Sequence, residues 1–149
     1  RWESLQFVRL EQSALAEVYD FIEACRLQKN YKLSITFNEL SVFVDRLPDE
    51  YLLFGVFHEQ KMVGASVAIR VHENALYHFI SDHVRRIGTL RPALVLMEGI
   101  YDYCYSNGIR LLDLGTSTLE GNPDVKLLRF KTEIGGQLTH KFSFRKNLL

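Results

Sequence analysis

Lys131 lies on the side of a predicted helix where the other residues are apolar. The stretch LLRFKTEIGG, residues 127–136, has an apolar stripe and ends in a double glycine. Lys131 comes four residues after Leu127 and three before Ile134, so helical geometry puts it on that stripe. Two interpretations are open. Either the stem covers apolar surface while the ammonium reaches water, or the ammonium faces a cleft and stabilises negative charge on a reaction intermediate or a phosphate.

Three arginines occupy a predicted loop just before another helix. Arg85, Arg86 and Arg91 fall within seven positions, and Pro92 stands at the expected first position of the helix. The amides at a helix N-terminus are unpaired and that end is electropositive, so basic side chains beside it suit a phosphate group. The alternative is an ordinary solvated basic turn.

A predicted strand, ALYHFISD, carries several polar side chains. Strand alternation places Leu76, His78, Ile80 and Asp82 on one face and Tyr77, Phe79, Ser81 and His83 on the other. His78, Asp82 and His83 are candidate bases or substrate contacts, because an acceptor amine must lose a proton and histidine titrates near working pH. The alternative is that a single histidine in a sheet is structural.

A further polar group follows the short apolar strand RLLDLG. Asp113 stands near the end of this strand, at an edge where open sheets tend to place ligands. Hydroxyls follow beside Gly115, on Thr116, Ser117 and Thr118. The alternative interpretation is a capping and turn segment.

Composition narrows the classes of function. In 149 residues, eighteen basic and eighteen acidic side chains cancel, which disfavours generic nucleic-acid binding because a polyanion usually needs a basic surplus. No apolar run reaches membrane-spanning length. Two cysteines, Cys25 and Cys104, make neither a disulfide framework nor a metal site, so reduced thiols and a cytoplasmic setting are predicted. The length predicts one domain over residues 1–149, and a start at Arg1 leaves open a fragment of a longer protein.

Periodicity predicts the elements that position these residues. A strand at residues 5–10 precedes a helix whose apolar face is Leu15, Val18, Tyr19, Ile22 and Cys25. A second helix starts at a capping box of Thr36 and Glu39 and ends at Pro48. Three strands joined by short turns then form an antiparallel meander that ends with ALYHFISD.

The last third of the chain adds two helices and two strands. The helix from Pro92 ends at Asn107-Gly108, and its stripe is Ala93, Met97, Ile100 and Cys104. After RLLDLG, Asn122 is the predicted N-cap of the last helix. GQLTHKFSFRK alternates and is predicted as a closing strand, with Leu138, His140, Phe142 and Phe144 on one side. The order β-α-α-β-β-β-α-β-α-β indicates a mixed sheet with helices on both faces, an α/β or α+β fold.

This order, with these motifs, resembles the GNAT acyltransferase superfamily. The segment IRLLDLGTSTLEGNPDVKLLRFKTEIGG is similar to the C-terminal part of its FemAB-like branch. There, a strand ending in an Asp-x-Gly type motif leads through a loop to a helix with Phe-Lys before Gly. The matching positions here are Asp113, Gly115, Phe130, Lys131, Gly135 and Gly136. The likeness covers residues 10 to 146.

The resemblance implies transfer of an acyl group from acetyl-CoA or another acyl-CoA to an amine, on a small molecule or in the cell envelope. FemAB-type members instead take amino acids from aminoacyl-tRNA and usually have two such domains. Half of such a transferase, with aminoacyl-tRNA as partner, is therefore one alternative, and a non-catalytic GNAT-like domain is another. No metal is implied, and the aromatic content permits a homodimer.

The resemblance also assigns roles to residues. GNAT proteins hold the CoA pyrophosphate on a Gln/Arg-x-x-Gly-x-Gly/Ala turn, which here reads Arg85-Arg86-Ile87-Gly88-Thr89-Leu90, with Leu90 departing from the pattern. The preceding strand splays from the next one, and its backbone pairs with the pantetheine arm. The implied donor-binding residues are Ser81, Arg85, Arg86, Gly88, Thr89, Arg91, Thr116 and Ser117. The implied catalytic residues are Lys131, Asp113, Asp82 and His83. A tyrosine that often protonates the leaving thiolate usually comes from the region of the last helix, which has none here.

Overall fold

The computed structural model describes residues 4–147, apart from the side chain of Leu119. They fall into two compact units, one ending at Gly115 and one starting at Thr116. The first unit holds the main sheet and three helices, and the second holds a short hairpin and one helix. The single domain over residues 1–149 stays a prediction.

The first unit follows the predicted element order. Its helices and strands are β1 Gln6–Leu10, α1 Leu15–Gln28, α2 Phe37–Arg46, β2 Tyr51–His58, β3 Lys61–His72, β4 Ala75–His83, α3 Pro92–Ser106 and β5 Leu111–Asp113, with a short 3-10 turn at Gln12–Ala14. The sheet order is β1-β2-β3-β4-β5. The first four strands are antiparallel neighbours, and β5 joins β4 in parallel. A parallel neighbour needs a crossover connection, which α3 provides. The predicted mixed α/β architecture is confirmed.

Two apolar clusters cover the two faces of this sheet. Under α1 and α2, the cluster includes Val18, Ile22, Leu40, Leu53, Val67 and Ile80. Under α3, it includes Phe54, Val56, Leu76, Leu96, Ile100 and Cys104. The predicted apolar face of α1 is confirmed because all five of its residues are buried. The stripe of α3 is confirmed for Met97, Ile100 and Cys104, and Ala93 is half-buried.

The helix ends follow their local sequence. Thr36 Oγ1 accepts from the Glu39 amide at 3.3 Å, and Glu39 Oε2 accepts from the Thr36 amide at 2.8 Å. This reciprocal pair confirms the predicted capping box of α2. α3 ends at Ser106 with Asn107 as its C-cap, and Gly108 follows with φ of +68°, a region in which glycine has no Cβ penalty.

The alternation predicted for β4 is wrong at the centre of the strand. Consecutive residues of β3 pair with His78 and Ile80, so Phe79 between them is an extra residue in a β-bulge. One extra residue exchanges the faces of every side chain beyond it. Leu76 therefore packs in the cluster under α3, whereas Ile80 packs in the cluster under α1 and α2. The residues predicted to share one face are divided between two.

The second unit departs further from the prediction. Two short strands, β6 Thr118–Leu119 and β7 Asn122–Pro123, pair where a loop was predicted. The last helix, α4, is Val125–Glu133, and its N-cap is Asp124, whose carboxylate accepts from the Leu127 amide at 3.0 Å. The predicted N-cap, Asn122, is wrong by two positions because that residue belongs to β7.

The predicted closing strand is also wrong. Residues 137–147 contain no strand. The apolar residues Leu138, Phe142 and Phe144 are 65%, 78% and 94% exposed. Alternation produces a strand only where a neighbouring strand supplies backbone partners, and the described ladders give this segment none.

Buried thiols and phenols make the stability of the fold sensitive to alkaline pH. Burial raises the pKa of Cys104 and Tyr51, and burial together with the charge of Asp82 raises that of Cys25. Each folded-state pKa lies above its unfolded value, so this stabilisation is complete below the unfolded pKa and is lost as the pH rises. We expect the free energy of unfolding to fall above about pH 9. Urea unfolding at neutral and alkaline pH measures this, and a value constant across that range would contradict it.

Candidate functional site

β4 is longer than β5, the strand beside it. β5 pairs only with residues Ala75 to Tyr77, and β4 continues to His83. Beyond His78, β4 has no strand partner on its β5 side among the described ladders. We call this the open edge. An unpaired strand edge offers N–H and C=O groups to an extended ligand that carries amides. The splay of the two strands that the resemblance implied stays a prediction, because β5 is paired with β4 over its whole length.

The open edge follows the end of the β4–β5 ladder, which we call the fork. Tyr77 and Asp113 are the last pair of this ladder. Two positions beyond Tyr77, Phe79 is the bulged residue, which has no partner in the ladder to β3. A bulge of this kind can direct an amide to an oxygen that gains negative charge. Sequence reasoning missed Phe79, since a bulge depends on how two strands pair and has no signal in FIS alone.

The loop between β4 and α3 is a tight turn. The Ile87 amide donates to the Leu90 carbonyl at 3.1 Å, and the Leu90 amide donates back at 2.9 Å. Gly88 and Thr89 form the tip of this turn. Gly88 has φ of +57°, and a Cβ there would meet nothing within 4 Å, so backbone conformation and not crowding favours glycine. The Leu90 amide is used inside the turn, which leaves the tip amides of Gly88 and Thr89 as candidates to bind an anion.

The charges of this loop come from side chains. Arg85, Arg86 and Arg91 are exposed, and none has an ion pair within the described part of the chain. α3 begins with Pro92, which has no N–H, and its next amides after Ala93 donate to the Arg91 carbonyl. The start of α3 therefore contributes less to an anion site than the sequence suggests, and the three guanidinium groups contribute more.

Asp82 is buried and held by its own protein. Its side chain is 5% exposed and lies between two cations of the α1 end. Arg26 Nε is 3.2 Å from Oδ2, and Lys29 Nζ pairs with Oδ1. The amide of His83 also donates to Oδ1, at 2.7 Å. Because both oxygens are engaged, this geometry supports a link between α1 and β4 more than proton abstraction from an acceptor.

His83 and Asp113 are two further candidate catalytic residues of the first unit. His83 Nδ1 lies 3.0 Å from the Val84 carbonyl, an arrangement that leaves Nε2 as the acceptor if Nδ1 carries the proton. Asp113 Oδ1 accepts from the Gly115 amide at 2.8 Å, and Gly115 has φ of +74°. Asp113 therefore shapes the turn after β5, and it does so at the fork.

In the second unit, Lys131 lies on an apolar stripe of α4 and forms a hydrogen bond with the main chain. Its ammonium donates to the Thr116 carbonyl at 2.9 Å, and the residue is half-buried. The Ser117 carbonyl accepts from the Asp124 amide at 2.8 Å. The main-chain carbonyls of Thr116 and Ser117 thus both accept hydrogen bonds, and these bonds fix the stretch before α4. The role of Lys131 in catalysis, and of Thr116 and Ser117 in donor binding, stays a prediction.

The described residues contain no candidate metal site and no candidate membrane span. No group of three or more His, Cys, Asp or Glu side chains lies close enough to hold a metal ion. No helix in the part described has both the length and the apolar character needed to cross a bilayer. A groove of about 410 Å³ between β1 and α3 is lined by residues such as Phe7, Gly99 and Tyr103, and its lining includes no residue of β4 or the arginine loop.

Comparison with known proteins gives a clear result for the fold. No family model matches the sequence, and no curated protein matches it significantly. An aminoglycoside acetyltransferase from an uncultured soil metagenomic sample, meta-AAC0020, solved with sisomicin, is 15% identical with a TM-score of 0.66, over 97% of this chain and 96% of that one. The aminoglycoside N-acetyltransferase AAC(6')-Iy, solved with CoA, is 12% identical with a TM-score of 0.65, over 99% and 97%. A GNAT family acetyltransferase from Staphylococcus aureus is 14% identical with a TM-score of 0.56, over 97% and 99%. The chain therefore has the GNAT acetyltransferase fold, as predicted.

Proposed function

We propose that this protein is an N-acyltransferase that moves an acyl group, acetyl in the first instance, from acyl-CoA to an amine. The observation that carries the proposal is the open edge of β4, which starts at the fork and runs toward the arginine loop. The pantetheine arm of CoA contains two amides and can pair with a strand edge as a peptide does. One protein with this fold was solved with CoA bound.

The open edge and the arginine loop suit opposite ends of the donor. In the proposed complex, the thioester lies at the fork, near Phe79 and Asp113. The arm follows β4 toward His83, and the phosphates meet the exposed guanidinium groups after it. Gly88 and Thr89 supply amides at the tip of the turn. In this arrangement the phosphates of the donor meet Arg85, Arg86 and Arg91, three arginines that have no ion pair within the described residues.

The reaction needs little covalent chemistry from the protein. The neutral amine attacks the thioester carbonyl, the new C–N bond forms, the C–S bond breaks, and the thiolate leaves and is protonated. Positioning and stabilisation of the oxyanion carry most of the catalysis. The backbone at the Phe79 bulge is our candidate for the oxyanion contact. His83 Nε2 is our candidate proton acceptor, and Asp82, Asp113 and Lys131 stay predictions.

The acceptor is an amine on a small molecule or in the cell envelope. The end of α1 and the loop after it carry Arg26, Lys29 and Lys32, which by type suit an acidic acceptor or plain solvation equally. Two of these cations pair with Asp82. Lys32 is left as the loop cation without an ion pair among the residues described, so the charge argument for an acidic acceptor is weaker than the sequence suggests.

A non-catalytic GNAT-like domain is the second candidate function. Leu90 favours it, because its amide is consumed within the turn instead of facing a phosphate. Half of a FemAB-type, aminoacyl-tRNA-dependent transferase has less support, because the similar structures are acetyltransferases whose own chains are covered almost completely. A cytoplasmic setting and a homodimer stay predictions.

Calorimetric titration with acetyl-CoA tests the proposal. We expect a Kd in the micromolar range, about −8 kcal/mol, and much weaker binding of S-acetylpantetheine, which lacks the nucleotide phosphates. Release of free thiol in a screen of amines would then identify the acceptor. A folded protein that binds neither compound would contradict the donor site and favour the non-catalytic domain.

A further inference from the structure

The direction of the backbone groups along the open edge can be derived from one hydrogen bond. The Val84 amide donates to the Val63 carbonyl at 2.9 Å, so the backbone N–H and C=O groups of Val84 point toward β3. In an antiparallel ladder, successive residues alternate between pointing toward the partner strand and away from it. The register between Gly64–Ser66 and Ser81–His83 is continuous. Ser81 and His83 therefore direct their N–H and C=O groups to the open side.

Two of these outward groups are already occupied by side chains. Arg26 Nη2 donates to the Ser81 carbonyl at 3.0 Å, and Asp82 Oδ1 accepts from the His83 amide at 2.7 Å. A carbonyl and the amide two positions later are the pair that one residue of an added parallel strand would use. The Arg26–Asp82 ion pair thus takes the place of an added amide-bearing chain.

The contact made by Arg26 is suited to displacement. Its side chain is 37% exposed, and its Nε lies 3.2 Å from Asp82 without the geometry of a hydrogen bond. If Arg26 turns away, Lys29 still pairs with the buried carboxylate. The guanidinium can therefore leave the edge for water without stranding Asp82 as an uncompensated buried charge.

We propose that Arg26 sets the affinity for the acyl donor by holding the open edge of β4 closed, so that the pantetheine arm must displace its guanidinium. This inference rests on the proposed function. A protein whose edge is mostly closed binds the donor more weakly, by the fraction of molecules that are open. Arg26 thus acts as a positioning residue that opposes binding, although its positive charge would ordinarily favour an anionic donor.

The sign of one mutational effect tests the proposal. Arg26→Met keeps an apolar stem and frees the Ser81 carbonyl, so the Kd for acetyl-CoA should fall by about tenfold, the size of one charge-assisted hydrogen bond. Lys29→Met is the matched control, because it removes the same charge from the same carboxylate without touching the edge. Its Kd should stay equal to that of the wild type or rise. Calorimetry measures each Kd, and thermal unfolding shows that each variant is folded, with Arg26→Gln as the second choice.

Each outcome of these titrations either supports or contradicts the closed edge. Tighter binding by the Arg26 variant alone supports the closed edge, as does binding by that variant when the wild type shows none. Equal or weaker binding by Arg26→Met, with a wild type that binds acetyl-CoA, overturns the closed edge and leaves the acyltransferase proposal standing. If all variants are folded and none binds acetyl-CoA, the donor site and the closed edge are both rejected.

Discussion

Replacing Asp82 with alanine is expected to lower the free energy of unfolding by about 3 kcal/mol. The carboxylate is 5% exposed and compensates two cations, and breaking a buried ion pair by removing one partner costs roughly 3–5 kcal/mol. We place the effect at the low end because Arg26 and Lys29 are 37% and 39% exposed and can turn toward water. Urea unfolding of the variant and the wild type measures the difference.

Asp102→Ala is the matched control for this change. Asp102 is an exposed carboxylate on α3, and it has no ion pair within the described part of the structure. Its removal should change the free energy of unfolding by less than about 0.5 kcal/mol. Equal effects of the two substitutions would show that the Asp82 cluster does not contribute to stability as its burial indicates.

Removing the three charges of the arginine loop should raise the Kd for acetyl-CoA on the order of 30-fold at low salt. Exposed charge contacts are worth about 0.5–1 kcal/mol each, so three amount to about 2 kcal/mol. The variant is Arg85→Gln with Arg86→Gln and Arg91→Gln. Because the contacts are exposed, added salt should weaken acetyl-CoA binding by the wild type, so that the Kd values of the wild type and the variant become similar. Calorimetry at two salt concentrations tests both statements.

A second triple variant separates local contacts from net charge. Arg9, Arg46 and Arg110 are exposed cations on β1, at the end of α2 and before β5, so replacing all three by glutamine gives the same change in net charge. We expect this variant to bind acetyl-CoA within about threefold of the wild type, since none of the three belongs to the arginine loop and salt screens exposed charges. A loss as large as that of the loop variant would show that the loop holds no specific phosphate site.

Local chemistry explains what the sequence could predict. The α1 stripe, the Thr36–Glu39 capping box and the stop at Asn107-Gly108 each depend on residues within one helix, and all three are confirmed. The meander was predicted because its turns are short. The misplaced N-cap and the absent closing strand belong to segments whose state depends on partners elsewhere, which periodicity does not reveal.

The candidate site was predictable in residue type but not in geometry. Asp82 and the arginines stood out by their chemistry. That Asp82 is bound by Arg26 and Lys29 depends on packing between α1 and β4, which are far apart in sequence. The face of each β4 residue depends on the Phe79 bulge, and hydrogen-bond direction depends on the register with β3. Neither the face of a side chain nor the hydrogen-bond direction can be predicted from the sequence of one strand alone.

The parallel pairing of β5 with β4 has a consequence for the order of folding. Ala75 pairs with Leu111 across the whole of α3, whereas the turns of the meander join strands that are adjacent in sequence. Closing a long loop loses more chain entropy than closing a short one, and such contacts slow folding. We therefore expect β2 to β4 to pair before β5 docks. The fork would then be assembled in one of the last steps, and slow formation of donor binding during refolding would report it.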